Sequence, residues 1–563
     1  MPSHCYWSVC FFHLSKDVPK FFGFAEYLAA VALMALAWTI ADVRYKFRVA
    51  TAPIPLQITT YSVVGAVGLL TLVTDLWRAK QWLVPEGWLS SAGWQALLGL
   101  IFLANFMVWV WYAFIKPPTY SRWNAFRFAR EVYRAVLRSS PTELPEVADE
   151  LARSARAIVK HAWLRHEAQT ASQMAPRYQQ KPSREFLARD CAHEILLIIA
   201  DKRFCRHVVV SAPVIATELF DEVRAQNRHH IALGTFAKNF TAAAIANKDS
   251  FAFHETNGYY TGFFGHQKPI TRAIYEDYPL VTSLREVFNM DFEEQRRWDS
   301  AQWEAFCRLN LVTIESAISS GVGSSYDPII GGAFNHVERS VNSLYKLNGK
   351  PTDAWDDDEL RKLRIAVTFV MDVVKILNKH FDKTFIVPRR AKSDHSKDVC
   401  DMIAGLMFEL ISSASAIKEP RELCWLVQRN YVWNEFFGKF EADGPAVEMV
   451  RFKLRRLLLK EITGHWNYQS SRILGLMLNV MGLIVHGNEF TAPTNSLHRA
   501  VIRWTVKNYA RLATQMPTVS ENVLVDRMTY DPEGPSLIFT REPLLDHRVS
   551  PNVLKLRPFI EDV

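Results

Sequence analysis

Apolar residues crowd the start of the chain. Residues 21–41, 54–77 and 94–115 form three runs of about 20 mostly apolar positions each, long enough at ~1.5 Å per helical residue to cross a ~30 Å hydrocarbon core. Trp38, Trp77, Trp94, Trp109, Trp111 and Tyr112 stand towards the run ends, where aromatic rings favour the headgroup layer. Pro117 and Pro118 close the third run, since proline lacks the N–H that a continuing helix needs. The first run is longer than a signal-peptide core and two more follow it, which predicts an uncleaved anchor.

After residue 118 the pattern becomes periodic. Arg127, Arg130, Arg134 and Arg138 recur at spacings of three and four, which puts them on one stripe of a helix. Directly below a bilayer, that stripe predicts contact with anionic headgroups. Val147, Leu151, Ala155, Ile158 and Ala162 predict a second amphipathic helix over 145–167. The polar stretch 174–185, with two prolines, predicts a linker. Helices are expected over 184–200, 213–226, 299–320, 356–381, 394–416, 421–439, 445–462, 467–486 and 495–515, and a strand over 203–211, where three valines stand together. Helix 356–381 has apolar stripes on two sides and predicts a strut packed between layers. The apolar run 473–485 is too short to span and predicts a buried core helix. The organisation is therefore a three-span anchor (1–118), juxtamembrane amphipathic helices (119–175), a helical lobe with a Gly- and aromatic-rich loop (184–285), a second helical lobe (286–515) and an irregular tail (516–563) with one short strand at 536–539.

Charge orients the anchor. Arg44, Lys46 and Arg48 between the first two runs, with Lys116, Arg122, Arg127, Arg130 and Arg134 after the third, put eight cations on one side. Lys16, Lys20, Arg78 and Lys80 put four on the other. The body is then cytoplasmic, the N-terminal tail lies outside, and the chain is a multi-pass protein of the inner (plasma) membrane. The formal net charge is +8. Residues 1–140 carry 13 Lys+Arg against 6 Asp+Glu, or +7, which leaves 53 against 52, or +1, for the rest. The basic excess is membrane-side, not a field for nucleic acid. Of the seven cysteines, none forms a CxxC pair, which argues against a disulfide framework or a thiolate zinc site. Cys5 and Cys10 alone face an oxidising side, where they could pair.

Candidate chemistry is sparse. Glu26, Asp75 and Asn105 are the polar residues of the spans, and such residues are functional candidates by default. Thr59, Thr60, Ser62, Gly65, Ala66 and Gly68 give the second span a small-residue surface that lets helices approach closely. His193, Glu194, His254, Glu255 and His266 are weak catalytic candidates. No metal motif, phosphate loop or nucleophile elbow is present, so neither a metal nor a cofactor is expected. The run 451–460 (RFKLRRLLLK) splits its charges over two faces and predicts a solvated helix rather than a groove reader.

These readings predict a mainly α, polytopic membrane protein with a two-lobed, mostly helical cytoplasmic body. The expected function is a membrane-anchored sensing or assembly protein, homo-oligomeric and in contact with anionic lipid, whose body meets a cytoplasmic protein partner and acts on the span bundle as an effector or gated pore. Bacterial envelope-stress and phage-defence effectors share that architecture, and architecture alone. The rivals are a membrane-tethered hydrolase or transferase working at the cytoplasmic face, and a passive scaffold.

Overall fold

A computed structural model describes residues 4–6, 9–13, 20–40, 42–85, 91–138, 140–167, 183–255, 259–260, 266–323, 326–351, 356–381, 397–438, 444–464, 466–485, 493–525, 527–540 and 551–558. The chain is mainly helical, as the sequence predicts. It divides after Phe240 into two compact units, inside the stretch 184–285 that the sequence reading takes as one lobe. Of the predicted linker, residues 174–182 lie outside the described residues.

The first unit begins with a hairpin, β1 (His4–Tyr6) and β2 (Val9–His13), followed by helices α1 (Phe24–Ile40), α2 (Val43–Thr51) and α3 (Leu56–Ala79). Strand β3 (Leu83–Pro85) pairs antiparallel with β2, so the N-terminal tail and the α3–α4 link share one small sheet. Helix α4 (Ser91–Val110) runs on through a π-helical turn to Ile115. Two helices, Leu56–Ala79 and Ser91–Ile115, are long and apolar enough to cross a membrane, and α1 is a shorter apolar helix. Tyr27 of α1 donates its hydroxyl to Val64 O of α3 at 2.8 Å. It can do so because Gly68, one turn on, has no side chain: a Cβ there would meet the Tyr27 hydroxyl at 2.6 Å.

The unit continues with α5 (Ala125–Arg138), α6 (Leu144–His161), α7 (Arg184–Ile198), α8 (Lys202–Ser211), α9 (Val214–Ala225) and α10 (Gly234–Ala246), the last of which crosses the division. Residues 203–211 are therefore helical, not the predicted strand. Asp201 caps α8 by accepting from Phe204 N at 2.9 Å, and Phe204, Cys205, Val208 and Val209 form one buried helical face. Cap and periodicity outweigh the strand preference of three valines.

The longer helices of the second unit are α11 (Pro269–Tyr275), α12 (Tyr278–Leu284), α13 (Ser300–Ser319), α14 (Pro328–Ser340), α15 (Asp358–His380), α16 (Val399–Ala414), α17 (Pro445–Thr463), α18 (Tyr468–Met481) and α19 (Asn495–Gln515). Helix α15 packs against α13, α16 and α17. Its two apolar stripes are both buried through Leu363, Val370 and Leu377 on one side and Phe369 and Val373 on the other, as expected of a strut. The tail read as irregular is more ordered than that. Strands β4 (Met528–Asp531), β5 (Ser536–Phe539) and β6 (Asn552–Lys555) form an antiparallel sheet in that order. Arg557 N donates to Val506 O at 2.9 Å, and Tyr509 packs on Tyr530, so α19 carries the sheet.

Candidate functional site

The most developed polar site of the first unit is a joint of three elements. Arg48 of α2 is buried and donates Nε and Nη2 to Glu150 Oε1 of α6 at 3.0 and 2.7 Å. Its Nη1 donates to Ala113 O, in the turn that ends α4, at 3.0 Å. One turn earlier, Arg44 meets Glu146 and Asp149 of α6. Asn124 Nδ2 donates to Thr51 O at 2.8 Å, and Arg127 Nη2 to Pro53 O at 2.6 Å. The short link between the first two apolar helices is thus held on α4, α5 and α6 at once. Arg suits this place because its rigid fork serves a carboxylate and a carbonyl together. A sequence reading registers Arg44 and Arg48 only as orienting charges; their carboxylate partners lie 102 residues away or more.

Two of the three polar span residues have structural employment. Glu26 accepts from Gly23 N at 3.0 Å, and Asp75 from Phe24 N at 2.9 Å. Both carboxylates sit at the N-terminus of α1, where free N–H groups and the helix dipole favour negative charge. Gln95 accepts from Phe21 N at 3.0 Å beside them. Asn105 is different: its Nδ2 is buried with no hydrogen-bond partner. The small-residue surface of α3 also divides. Thr60 and Gly68 face inward, whereas Ser62, Gly65 and Ala66 are exposed.

The predicted arginine stripe is real in part. Arg127 turns inward to Pro53 as described. Arg130 and Arg134 lie near Glu131 at 3.3 and 2.9 Å, and all of Arg130, Arg134 and Arg138 are exposed. The periodic reading missed that Trp123, Phe126, Tyr133 and Leu137 are exposed beside them, while Phe128, Val132 and Val136 fill the buried face. Exposed aromatics and exposed arginines thus share one side of α5.

The weak catalytic candidates are not assembled within either unit. His193 and Glu194 belong to the first; His254, Glu255 and His266 to the second. His193 has a buried, unpartnered Nδ1, and burial holds its pKa below the usual value. Burial raises that of the exposed Glu194, as does Asp190. Glu255 is engaged as a buried cap on Ile270 N and Thr271 N at 3.2 and 2.8 Å. His254 is exposed, and the His266 side chain lies outside the described residues. Among the described residues no group of three His, Cys, Asp or Glu could hold a metal. Cys191, Cys205, Cys307, Cys400 and Cys424 are buried; burial pushes Cys191 up to about 11, far from a reactive thiolate.

Sequence reasoning also missed a cleft of about 510 Å³ in the second unit, lined by Arg285, Phe288, Asn289, Asp327 and His336 among others. Asp327 caps α14 through Ile329 N and Ile330 N, and accepts from the Tyr278 hydroxyl, so it is a structural carboxylate rather than a base. His336 Nδ1 bonds the Gln295 amide. Burial, helped by Arg339, lowers its pKa to about 4, which keeps the ring neutral at physiological pH. Arg285 ends α12 with φ of 60° and ψ of −31°, and its guanidinium makes no hydrogen bond or ion pair with the described residues. An unpaired cation and a neutral imidazole in the wall of one cleft suit recognition of a small anionic ligand. Thr282, which also lines the cleft, donates its hydroxyl to Tyr278 O at 2.9 Å.

The basic run is solvated only in part: Arg456 and Lys460 are exposed, as expected, while its other cations turn to the protein. Arg451 donates to Phe436 O at 3.1 Å and to Gly438 O. Buried Lys453 meets Asp398 and Asp401, each at 2.6 Å, and Arg455 donates to Pro493 O. Comparison of the chain with known family models, with curated proteins and with solved structures finds no match.

Proposed function

We propose that this chain is a membrane-anchored assembly protein in which α1, α3 and α4 cross a bilayer, and α2 with α5–α9 lies at the cytoplasmic face. The second unit receives a cytoplasmic partner or small anionic ligand. The observation that carries this reading is the Arg48 joint. It ties the link between two apolar helices to the segment after the third, so any displacement of the cytoplasmic helices is felt at the ends of the spans. An up–down–up path for three spans also puts that link on the side of the body, and the β1–β2–β3 sheet on the other. The exposed Ser62, Gly65 and Ala66 stripe favours close pairing of α3 between copies.

The test is topology and assembly of the full chain. Gln81→Cys and Arg138→Cys, each placed singly in a chain whose native cysteines are replaced by serine, are exposed to a membrane-impermeant maleimide on intact bacterial cells. Labelling at 81 with protection at 138 is the expected result. Equal labelling of both would overturn the crossing. Crosslinked ladders through Gly65→Cys should report symmetric oligomers. A voltage-sensitive dye then separates a pore, which depolarises the cell, from a closed scaffold.

The enzymatic alternative rests on the cleft at Arg285 and His336. It requires turnover of a substrate that is lost in Arg285→Ala while the oligomer persists.

A further inference from the structure

Threonines in an apolar helix normally return their hydroxyl to the backbone one turn back. Thr51, Thr59, Thr71 and Thr74 do so, to Phe47 O, Pro55 O, Gly68 O and Leu70 O at 2.9, 3.1, 2.9 and 2.7 Å. Thr60 does not. It is 7% exposed, and its Oγ1 is buried without a partner. Thr60 lines a pocket of about 250 Å³ bordered by α1, α2, α3 and α4, whose wall includes Trp38, Trp109 and Val31, with the hydroxyl itself just beneath the wall. Gln57 and Tyr61, both exposed, border the same pocket at i−3 and i+1 from Thr60. Neither has a hydrogen-bond partner among the described residues. In hydrocarbon no water is at hand to satisfy such groups, and an unmade hydrogen bond there is costly.

An apolar, aromatic-walled pocket with a few convergent polar groups at one end is the form of a small-molecule site. We infer that this pocket binds one uncharged amphiphile whose carbonyl oxygen accepts from Thr60 and whose apolar body lies against Trp38 and Trp109. An isoprenoid-quinone headgroup and the ester carbonyl of a bilayer lipid share this chemistry. Among the described residues no charged side chain lines the pocket, which disfavours an ionised ligand. The inference rests on the membrane reading above, because it takes the lipid phase as the ligand's route.

The experiment uses the full chain in nanodiscs of carbonyl-free, ether-linked lipid, with decyl-benzoquinone as probe and tryptophan quenching as readout. Co-elution with the disc is established first. Saturable quenching is expected. Thr60→Val, which keeps the shape and removes the donor, should weaken it about five- to tenfold. Ala35→Trp, which fills the pocket, should abolish it. Weaker probe binding in ester-lipid discs would identify bilayer lipid as the competing occupant; equal binding in both would identify a free amphiphile. Disc entry with linear, unsaturable quenching, or with quenching unchanged in both variants, overturns the pocket alone. Failure to enter the disc overturns the membrane reading and this inference with it.

Discussion

Helices α4 and α18 are both apolar, yet their surroundings are opposite. In α18, residues 473–480 are all buried, Leu474 and Leu476 at 1% and 0% exposure. In α4 the buried residues are Ser91, Gln95, Leu98 and Trp109, while Leu100, Leu103 and Met107 are 62%, 51% and 51% exposed. One helix satisfies its apolar surface with protein; the other leaves much of its apolar surface exposed. Apolar content alone does not separate these cases, but the length of the run does, because only a run of about 20 residues matches a bilayer.

The sharpest way to break this comparison is one change made twice. Leu474→Asp places an unpaired carboxylate in the core and should cost about 4 kcal/mol or more, seen as protease sensitivity and loss of the cooperative melt of the second unit. Leu100→Asp should leave that melt intact. It should instead reduce carbonate-resistant membrane retention, at an insertion cost of about 3 kcal/mol near a helix centre. If Leu100→Asp unfolds the protein and leaves membrane retention unchanged, α4 is a core helix and the contrast is void.

Buried ion pairs sharpen the comparison next. Arg48→Ala leaves Glu150 buried without its partner, a loss of about 3–5 kcal/mol. Arg48→Met with Glu150→Leu should recover most of it, because removing both charges also removes their desolvation. If stability returns in the double variant but oligomers or depolarisation do not, the joint transmits as well as holds. Thermal melts in detergent, read beside the crosslinking assay, separate the two.

A pH effect of similar or smaller size distinguishes the second unit. His336 is 9% exposed and its folded pKa is lowered to about 4 from 6.5. The unfolded chain takes up the proton first as pH falls. The stabilising contribution is therefore complete above about pH 6.5 and is lost as pH falls to about 4, on the order of 3 kcal/mol. His336→Asn should flatten this part of the pH dependence of the melting temperature. An unchanged slope would show that the ring is not held neutral by its site.

What the sequence shows of all this follows from range. Helices with strong periodicity, such as α5 and α15, are legible because spacing is local. Helix α2 was read only as a charged loop, being nine residues long and too short for a periodic signal to stand out. Residues 203–211 suggest a strand because three adjacent valines dominate a local reading, whereas in the structure the Asp201 cap and one buried helical face decide for helix. The joint, the cleft and the Thr60 pocket were invisible for another reason: each is made by side chains brought together from distant segments. Nothing local distinguishes Thr60 from Thr59, and only the backbone contacts show that one has no partner.

The smallest effect belongs to the exposed face of α5. Arg130 and Arg134 share one acid, Glu131, so the trio carries a net single positive charge, with Arg138 adding another. Each exposed arginine near an anionic surface contributes about 1 kcal/mol, and exposed pairs add little to folding stability. Arg138→Ala should therefore leave the melt within about 0.5 kcal/mol and shift docking of α5 on an anionic bilayer about fivefold. A polarity-sensitive dye at Phe126→Cys, in nanodiscs of neutral or anionic lipid, reports the docking. Raising salt should erase the difference between the lipids, since a screened headgroup layer no longer attracts the arginines. If the dye reports the same environment in both lipids at low salt, the aromatic side of this face, Trp123 and Phe126 above all, seats it on the bilayer without help from charge. The arginines would then be only the solvated edge of an apolar contact.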